Sequence, residues 1–422
     1  MGKKLIVYMI DGVSAEHYTT EKGRLPHFMA LEKRGFRIEN LHSEVLGTSL
    51  PGRTSMLTGV TADVSGVYGN LIWDGTDAFR YANPDDIRVP TIPMRAKQAG
   101  KRVAALGAGM IRPEDTDAMI LPWWIQNLLI QRARDTEPLP ADNAWVRVAN
   151  APLSEAFVRA CEAAGYPTHY PQIDTTDEQA RAFYGLMCDM MIADWVGITA
   201  TSPDAPDLIW AEFLVTDSLQ HYTGYKSEIS QWAVMQADSA LGRIMARLRA
   251  AGVEDEWNIA VMSDHGHSPI DVTLHPQVII PGVRVQCEGG SLLVAPRDAD
   301  ELQMVTEKLA PFGVERYSND CVPAELRDQV FVFMAPERTS FENDNAEATE
   351  PTGKPHAISS HGIRPGWAGD DRFALFAGPD VPQGRVEQAQ AVQVAPTLAA
   401  LLELPMDGFV ADPVFQPAGV MS

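Results

Sequence analysis

The chain has 422 residues, of which 45% are hydrophobic and 21% charged. That is the make-up of a globular protein, either one large domain carrying insertions or two domains. A formal net charge of −22 speaks against nucleic-acid polymers and anionic membrane surfaces as partners, while bound metal can still reverse the local sign for an anionic substrate. Cys161, Cys188, Cys287 and Cys321 are scattered without paired spacing, which excludes a disulfide framework or a zinc ribbon.

In chain order, residues 4–10 form a continuous apolar run with β-branched members, ending at Asp11-Gly12. This is the pattern of a central parallel strand buried on both faces, its carboxyl end at the active edge. The strand starts too early for a signal peptide and no apolar run approaches spanning length, so a cytoplasmic protein is expected. In residues 46–59, Ser49 precedes a Pro51-Gly52 turn, and an amphipathic run begins at Arg53. A hydroxyl at the start of a helix faces free N–H groups and a positive dipole end, a ready site for an oxyanion. Alone, the stretch reads equally well as a loop and a surface helix.

Further strand-like runs occupy 102–106, 208–215, 259–262 and 373–377, separated by helix-period segments such as 229–251, closed by Gly252. The alternation predicts an α/β fold with a mainly parallel sheet and helices on both faces. Residues 113 to about 170, with Trp123-Trp124 and several prolines, read as an insertion over one sheet edge. Residues 276–355 read as a smaller α+β cap or lid governing substrate choice. It has strands at 291–295 and 329–334, a helix at 300–309 and a mobile polar stretch at 337–354. The core is then 1–275 and 356–422, closing on a helix near 392–402.

Potential metal ligands follow three of the apolar runs: Asp11; Asp217 and His221; Asp264 and His265, the last pair followed by Gly266. His361 precedes the final strand. A lone strand-end Asp is more commonly a cap or turn residue, and Asp217 and His221 at i, i+4 could simply face solvent. Adjacent Asp and His before a Gly seldom arise from packing alone. Residues past the carboxyl ends of a parallel sheet converge on one crevice. Carboxylates, imidazoles and a hydroxyl gathered there meet the needs of a two-metal hydrolytic site. Mixed nitrogen and oxygen ligands favour zinc, with manganese or iron as alternatives.

In order and spacing, Asp11, the Ser49 segment, Asn70, Asp217/His221, Asp264/His265 and His361 resemble the motif set of the alkaline phosphatase superfamily. The nearest branch is that of nucleotide pyrophosphatases/phosphodiesterases, which includes phosphonoacetate hydrolase. The resemblance implies that Asp217, His221 and His361 hold one zinc. It assigns Asp11, Asp264 and His265 to the other, with Ser49 bridging toward it as nucleophile. Most of the branch has Thr where Ser49 stands. Asn70 and the amide N–H after Ser49 would bind phosphoryl oxygens, whereas His267 and His356 fall outside the pattern as supporting or surface residues. The implied reaction is hydrolysis of a small-molecule phosphodiester or nucleotide pyrophosphate through a covalent Ser49 intermediate. A homodimer is compatible with this reading.

Three alternatives remain open. A phosphonoacetate-type C–P hydrolase would hold a substrate carboxylate with lysines that 104–112 lacks; Arg112 is the substitute, with an ordinary salt bridge as the plainer account. Ser49-Leu-Pro51-Gly-Arg53 with Thr58-Gly59 also fits the sulfatase signature, in which the Ser is oxidised to formylglycine. The single Asp11 before Gly12 and the histidine ligands speak against it. A non-catalytic binding protein on a degenerate scaffold would have lost ligands, yet the set here is complete. Trp123 and Trp124 are candidate pocket walls, with packing of the insertion as the simpler account.

Overall fold

The computed structural model describes residues 4–126, 129, 139–171, 178–343 and 348–418, with only the backbone at 178, 179, 181 and 182. Apolar runs and their connecting helices build one eight-stranded sheet. Its strands are Lys4–Ile10 (β1), Phe36–His42 (β2), Val103–Leu106 (β3), Ala118–Ile120 (β4), Leu208–Phe213 (β5), Trp257–Ser263 (β6), Arg372–Ala377 (β7) and Gly384–Gln390 (β8). The spatial order is β8-β2-β7-β6-β1-β5-β3-β4. β1 lies between β6 and β5, parallel to both, and its side chains divide between the two faces of the sheet. Leu5, Val7 and Met9 join one core, with Leu50, Met56 and Leu57 of the helix Ser49–Thr58. Ile6, Tyr8 and Ile10 join the other, with the long helices Glu178–Ala200 and Glu228–Ala251. Each aliphatic side chain so buried contributes about 1.5–3 kcal/mol relative to exposure, which explains the unbroken apolar runs.

The sheet is mainly parallel, as expected, but β7 runs antiparallel to both β6 and β2. This reversal matters for the site. The residues that reach the carboxyl edge of β6 are those before β7, not those after it, so the segment carrying His361 lies there. The helix predicted at 229–251 spans Glu228–Ala251 and ends on Gly252 at φ +71°, the left-handed cap that glycine favours.

The segment read as an insertion over one sheet edge itself supplies the edge strand β4, and its later helices straddle that edge. Trp145 and Val148 of Ala144–Ala149 pack into one core, Phe157 and Cys161 of Glu155–Ala164 into the other. Its residues 127–128 and 130–138 lie outside those described.

The segment expected to form a cap contains a four-stranded antiparallel sheet, in the order Arg284–Glu288, Ser291–Ala295, Phe331–Met334, Glu315–Tyr317, with the helix Ala299–Leu309. It has its own apolar core, including Leu292, Val294, Val305, Leu309 and Phe333. Part of the stretch expected to be mobile is paired instead. Thr339–Phe341 and Thr352–Gly353 flank Val272–Leu274 in a three-stranded sheet, so backbone hydrogen bonds hold this polar sequence where composition suggested none. Residues 344–347 lie outside those described.

Candidate active site

The helix carrying the serine starts at Ser49 itself, with Thr48 as its N-cap. Pro51-Gly52 is therefore its first turn rather than a turn ahead of it. Proline is tolerated there because its missing N–H would have no helical partner. Gly52 serves close approach: a Cβ would stand 2.0 Å from the Asp264 carbonyl oxygen. The helix is buried throughout Leu50–Thr58, not amphipathic as expected, because it is packed between one face of the sheet and the helix Val394–Leu401.

Around it the strand ends bring the six predicted ligands together. Asp11 follows β1, and Asp264 and His265 follow β6. Asp217 and His221 lie one turn apart on the helix Val215–Thr223, so they share a face. The ligating atoms of Asp11, Asp264 and His265 lie within 4.8 Å of one another, as do those of Asp217, His221 and His361. The two groups adjoin, with His361 Nε2 4.0 Å and His265 Nε2 3.9 Å from Asp217 Oδ1.

Hydrogen bonds fix which imidazole nitrogens face the crevice. His265 Nδ1–H donates to the Gly266 carbonyl at 2.8 Å. Its Nε2 then stands 3.1 Å from Ser49 Oγ and 3.0 Å from Asp11 Oδ1. Burial opposes a charge on His265, but Asp264 and Asp11 outweigh it and lift its pKa to about 9. A proton thus neutralises the carboxylates where a cation would. His221 Nδ1–H donates to the Ser359 carbonyl at 2.9 Å, leaving Nε2 toward Asp217. Asp11 Oδ1 faces His265 Nε2 and Asp264 Oδ2 faces a guanidinium nitrogen of Arg53, each at 3.0 Å, while His361 Nδ1 is buried without a hydrogen-bond partner. A buried polar atom left so is costly unless something fills the gap. The donor set fits two divalent cations of the zinc type.

Several contributors escaped the sequence reading. Arg53, on the Ser49 helix and 1% exposed, donates from Nη2 to Asp11 Oδ2 at 2.6 Å and from Nε to Glu212 Oε2 at 3.1 Å; its Nη1 lies 3.0 Å from Asp264 Oδ2. Glu212 is itself buried, which raises its carboxyl to about 8. An acid inside the apolar strand β5 and an arginine one turn after Ser49 were the available signals. His267, by contrast, was expected as a supporting or surface residue; it is buried, and burial lowers its pKa to about 4. As a neutral ring it accepts from Ser359 Oγ and donates Nε2–H to Asp217 Oδ1 at 3.0 Å, orienting that carboxylate. Asp189 accepts the Leu214 and Val215 N–H groups at 2.8 and 2.7 Å. It thereby caps the helix of Asp217 and His221 from a neighbouring element.

The remaining predicted residues divide. Asn70 stands beside Ser49, its Oδ1 accepting the Leu50 N–H at 2.8 Å. The amide after Ser49, expected to point at substrate, is thus engaged by Asn70, which keeps Nδ2 as its own donor. Arg112 does not join the site: it pairs with Asp115 at 3.0 Å and touches Met94 Sδ, the ordinary i, i+3 salt bridge. Trp123 is buried and donates to Asp189 at 2.8 Å, so it packs rather than lines a pocket. Trp124 meets Trp145 edge to face. His356 is exposed, its ring against Tyr222.

A mainly parallel sheet with acids and imidazoles gathered at one edge, beside a helix-initiating serine, defines a hydrolase of the alkaline phosphatase superfamily. More narrowly, the chain belongs to the type I phosphodiesterase/nucleotide pyrophosphatase family, whose profile matches residues 5–330. His361 lies beyond that match and is supplied by the fold. The family hydrolyses phosphate esters and is metal-dependent, typically with zinc. Among solved structures the chain is similar to murine ectonucleotide pyrophosphatase/phosphodiesterase 5, an inactive variant in complex with AMP. The TM-score is 0.65 at 16% identity, over 96% of each chain. The human counterpart matches at 0.65 and 15%, again over 96% of each chain. At such identity the likeness concerns the fold. No helix among the described residues is long and apolar enough to cross a membrane.

Proposed function

We propose that the protein is a two-metal phosphodiesterase or nucleotide pyrophosphatase acting through a covalent Ser49 intermediate. The observation that carries this is the pair of three-ligand groups adjoining Ser49 at one sheet edge. Asp11, Asp264, His265 and Ser49 would hold one zinc, and Asp217, His221 and His361 the other. Bound there, the two cations supply Lewis acidity to the serine oxygen and to the leaving group. Charge supports the assignment. When ionised, Asp11, Glu212, Asp217 and Asp264 against Arg53 leave a threefold negative centre, which two divalent cations turn to a single positive one. An acidic protein thereby accepts an anionic ester.

Ser49 sits at a helix N-terminus, where the dipole favours the charge gathering on phosphorus-bound oxygens. The Ser49 hydroxyl loses its proton to solvent and its oxygen forms the bond to phosphorus as the leaving oxygen departs and takes up a proton; water then cleaves the seryl phosphodiester and restores the hydroxyl. Asn70 Nδ2 donates to a non-bridging oxygen, a contact that strengthens as charge develops. Arg53 holds Asp11 and Asp264 apart and aligned. Engagement of Arg112 by Asp115 weighs against a carboxylate-bearing phosphonate substrate.

The deciding experiment assays chelator-treated and zinc-reconstituted protein on aryl phosphate mono- and diesters, aryl sulfate, a nucleotide pyrophosphate and phosphonoacetate. Zinc-dependent cleavage of the diester or pyrophosphate, with Ser49 found unoxidised by peptide mass, is expected. Preferential sulfate cleavage by an oxidised Ser49 would overturn the reading.

A further inference from the structure

Outside the ligand groups, the cap makes one contact with the catalytic edge that packing alone does not require. The turn Glu288-Gly289-Gly290-Ser291 joins the first two cap strands and is wedged between the Asn70 loop and the His361 segment. Glu288 is 3% exposed. Its Oε2 accepts the Asn70 N–H and its Oε1 the Leu71 N–H, both at 3.0 Å. Among the described residues no Lys or Arg forms an ion pair with it. A buried carboxylate with no paired cation is expensive compared with an apolar side chain of the same size.

On the other side of the turn, Gly290 N–H donates to the His361 carbonyl at 3.0 Å. Ser291 Oγ donates to the Gly362 carbonyl. The approach is backbone to backbone. Gly289 has φ +70°, and a Cβ there would stand 2.2 Å from the His361 carbonyl oxygen. A Cβ on Gly362, at φ +65°, would stand 2.0 Å from that of Glu288.

We propose that Glu288 is a positioning residue for Asn70, so that the cap builds part of the active site instead of only covering it. By gripping two successive amides, the carboxylate fixes the backbone at residue 70 and with it the side-chain direction. Asn70 Oδ1 stays on the Leu50 N–H, and Nδ2 is presented beside Ser49 to a phosphoryl oxygen. The inference rests on the role given to Asn70 under the proposed function. Gln at 288 would keep the size but turn an NH2 group toward one of the two amides, leaving that amide unpaired.

The test compares zinc-loaded Glu288→Gln, Asn70→Ala and the double variant on an aryl phosphodiester, alongside amide exchange measured by mass spectrometry. Loss of an oxyanion donor costs about 10²–10³ in kcat, so partial misplacement in Glu288→Gln should cost roughly tenfold or more. KM and zinc content should stay near wild type, and faster exchange should be confined to residues 69–73. In the Asn70→Ala background the same substitution should change kcat less than about twofold, because groups acting as a unit are not additive. Wild-type kcat in Glu288→Gln, an equal loss with and without Asn70, or unchanged exchange at 70 and 71 would each overturn the proposal. Slowing by Asn70→Ala but not by Glu288→Gln would sink this inference alone. An unslowed Asn70→Ala would sink the role of Asn70 and this inference together.

Discussion

Replacing Arg53 with Met tests the electrostatic logic of the site most directly. The guanidinium is buried and contacts three carboxylates, those of Asp11, Glu212 and Asp264. Removing one partner of a buried ion pair costs about 3–5 kcal/mol, because the other charge stays desolvated without compensation. In the metal-free protein, only a protonated His265 remains to offset Asp11 and Asp264. For 422 residues the unfolding entropy near the midpoint is ~0.9 kcal/mol/K, so Tm should fall by about 3–6 °C. Two zinc ions replace the missing positive charge, so in reconstituted protein the gap should narrow to about 1–2 °C, the part owed to packing. Calorimetry on chelator-treated and zinc-loaded samples of both proteins measures the two gaps. The double variant Arg53→Met/Glu212→Met, which removes the most distant of the three carboxylates as well, should recover part of the metal-free loss. Equal gaps with and without zinc, or a metal-free Arg53→Met as stable as wild type, would refute the reasoning.

Ser49→Ala should lower turnover by more than about 10³-fold while still taking up two equivalents of zinc, as rate and metal analysis together would report. His221→Ala and His361→Ala should each remove one zinc equivalent, and the double variant no more than one, in a titration followed by calorimetry. Burial raises Asp189 to about 8, so the folded protein holds a proton there that the unfolded chain releases near pH 4. The folded state then binds more protons, and stability contributed through this group falls as pH rises from about 4 to 8. In metal-free Asp189→Asn, the stability slope between pH 5 and 7 should be less negative by up to about 1.4 kcal/mol per pH unit. Denaturant midpoints across that range would show it.

Which residues were legible follows from how each is held. Asp11 and Asp264-His265 come directly after uninterrupted apolar runs, and a buried parallel strand delivers whatever follows it to the carboxyl edge. Asp217 and His221 need only the further step that positions i and i+4 share a helix face. His361 reaches the same edge through the reversal of β7, which no local pattern announces, since a buried strand reads alike in either direction. Pro51-Gly52 was misread because that dipeptide is a turn signal in isolation; the tight fit of Gly52 against the Asp264 carbonyl is a tertiary demand. β2 and β8 went unpredicted because they carry mixed polar sequences on the flank of the sheet, where hydrophobic periodicity is weak.

Arg53, Glu212, Asp189 and Glu288 form a different class, charged groups whose partners lie far away in sequence. Glu212 was still readable as an anomaly, because a carboxylate inside a fully buried strand demands a partner. Asp189 and Glu288 carry no such mark, and each grips backbone N–H groups instead of a cation. Both sit one step behind the ligands or the oxyanion donor and set the direction of elements that bear them. A site that holds two cations and a developing trigonal-bipyramidal phosphorus, as proposed for this one, needs its ligands aimed before substrate arrives. Folding, driven by the apolar runs, can only bring those ligands to the edge. On the proposed reading the aiming falls to buried acids outside the motif set, which is why the gathering of the ligand residues was readable from spacing and their orientation was not.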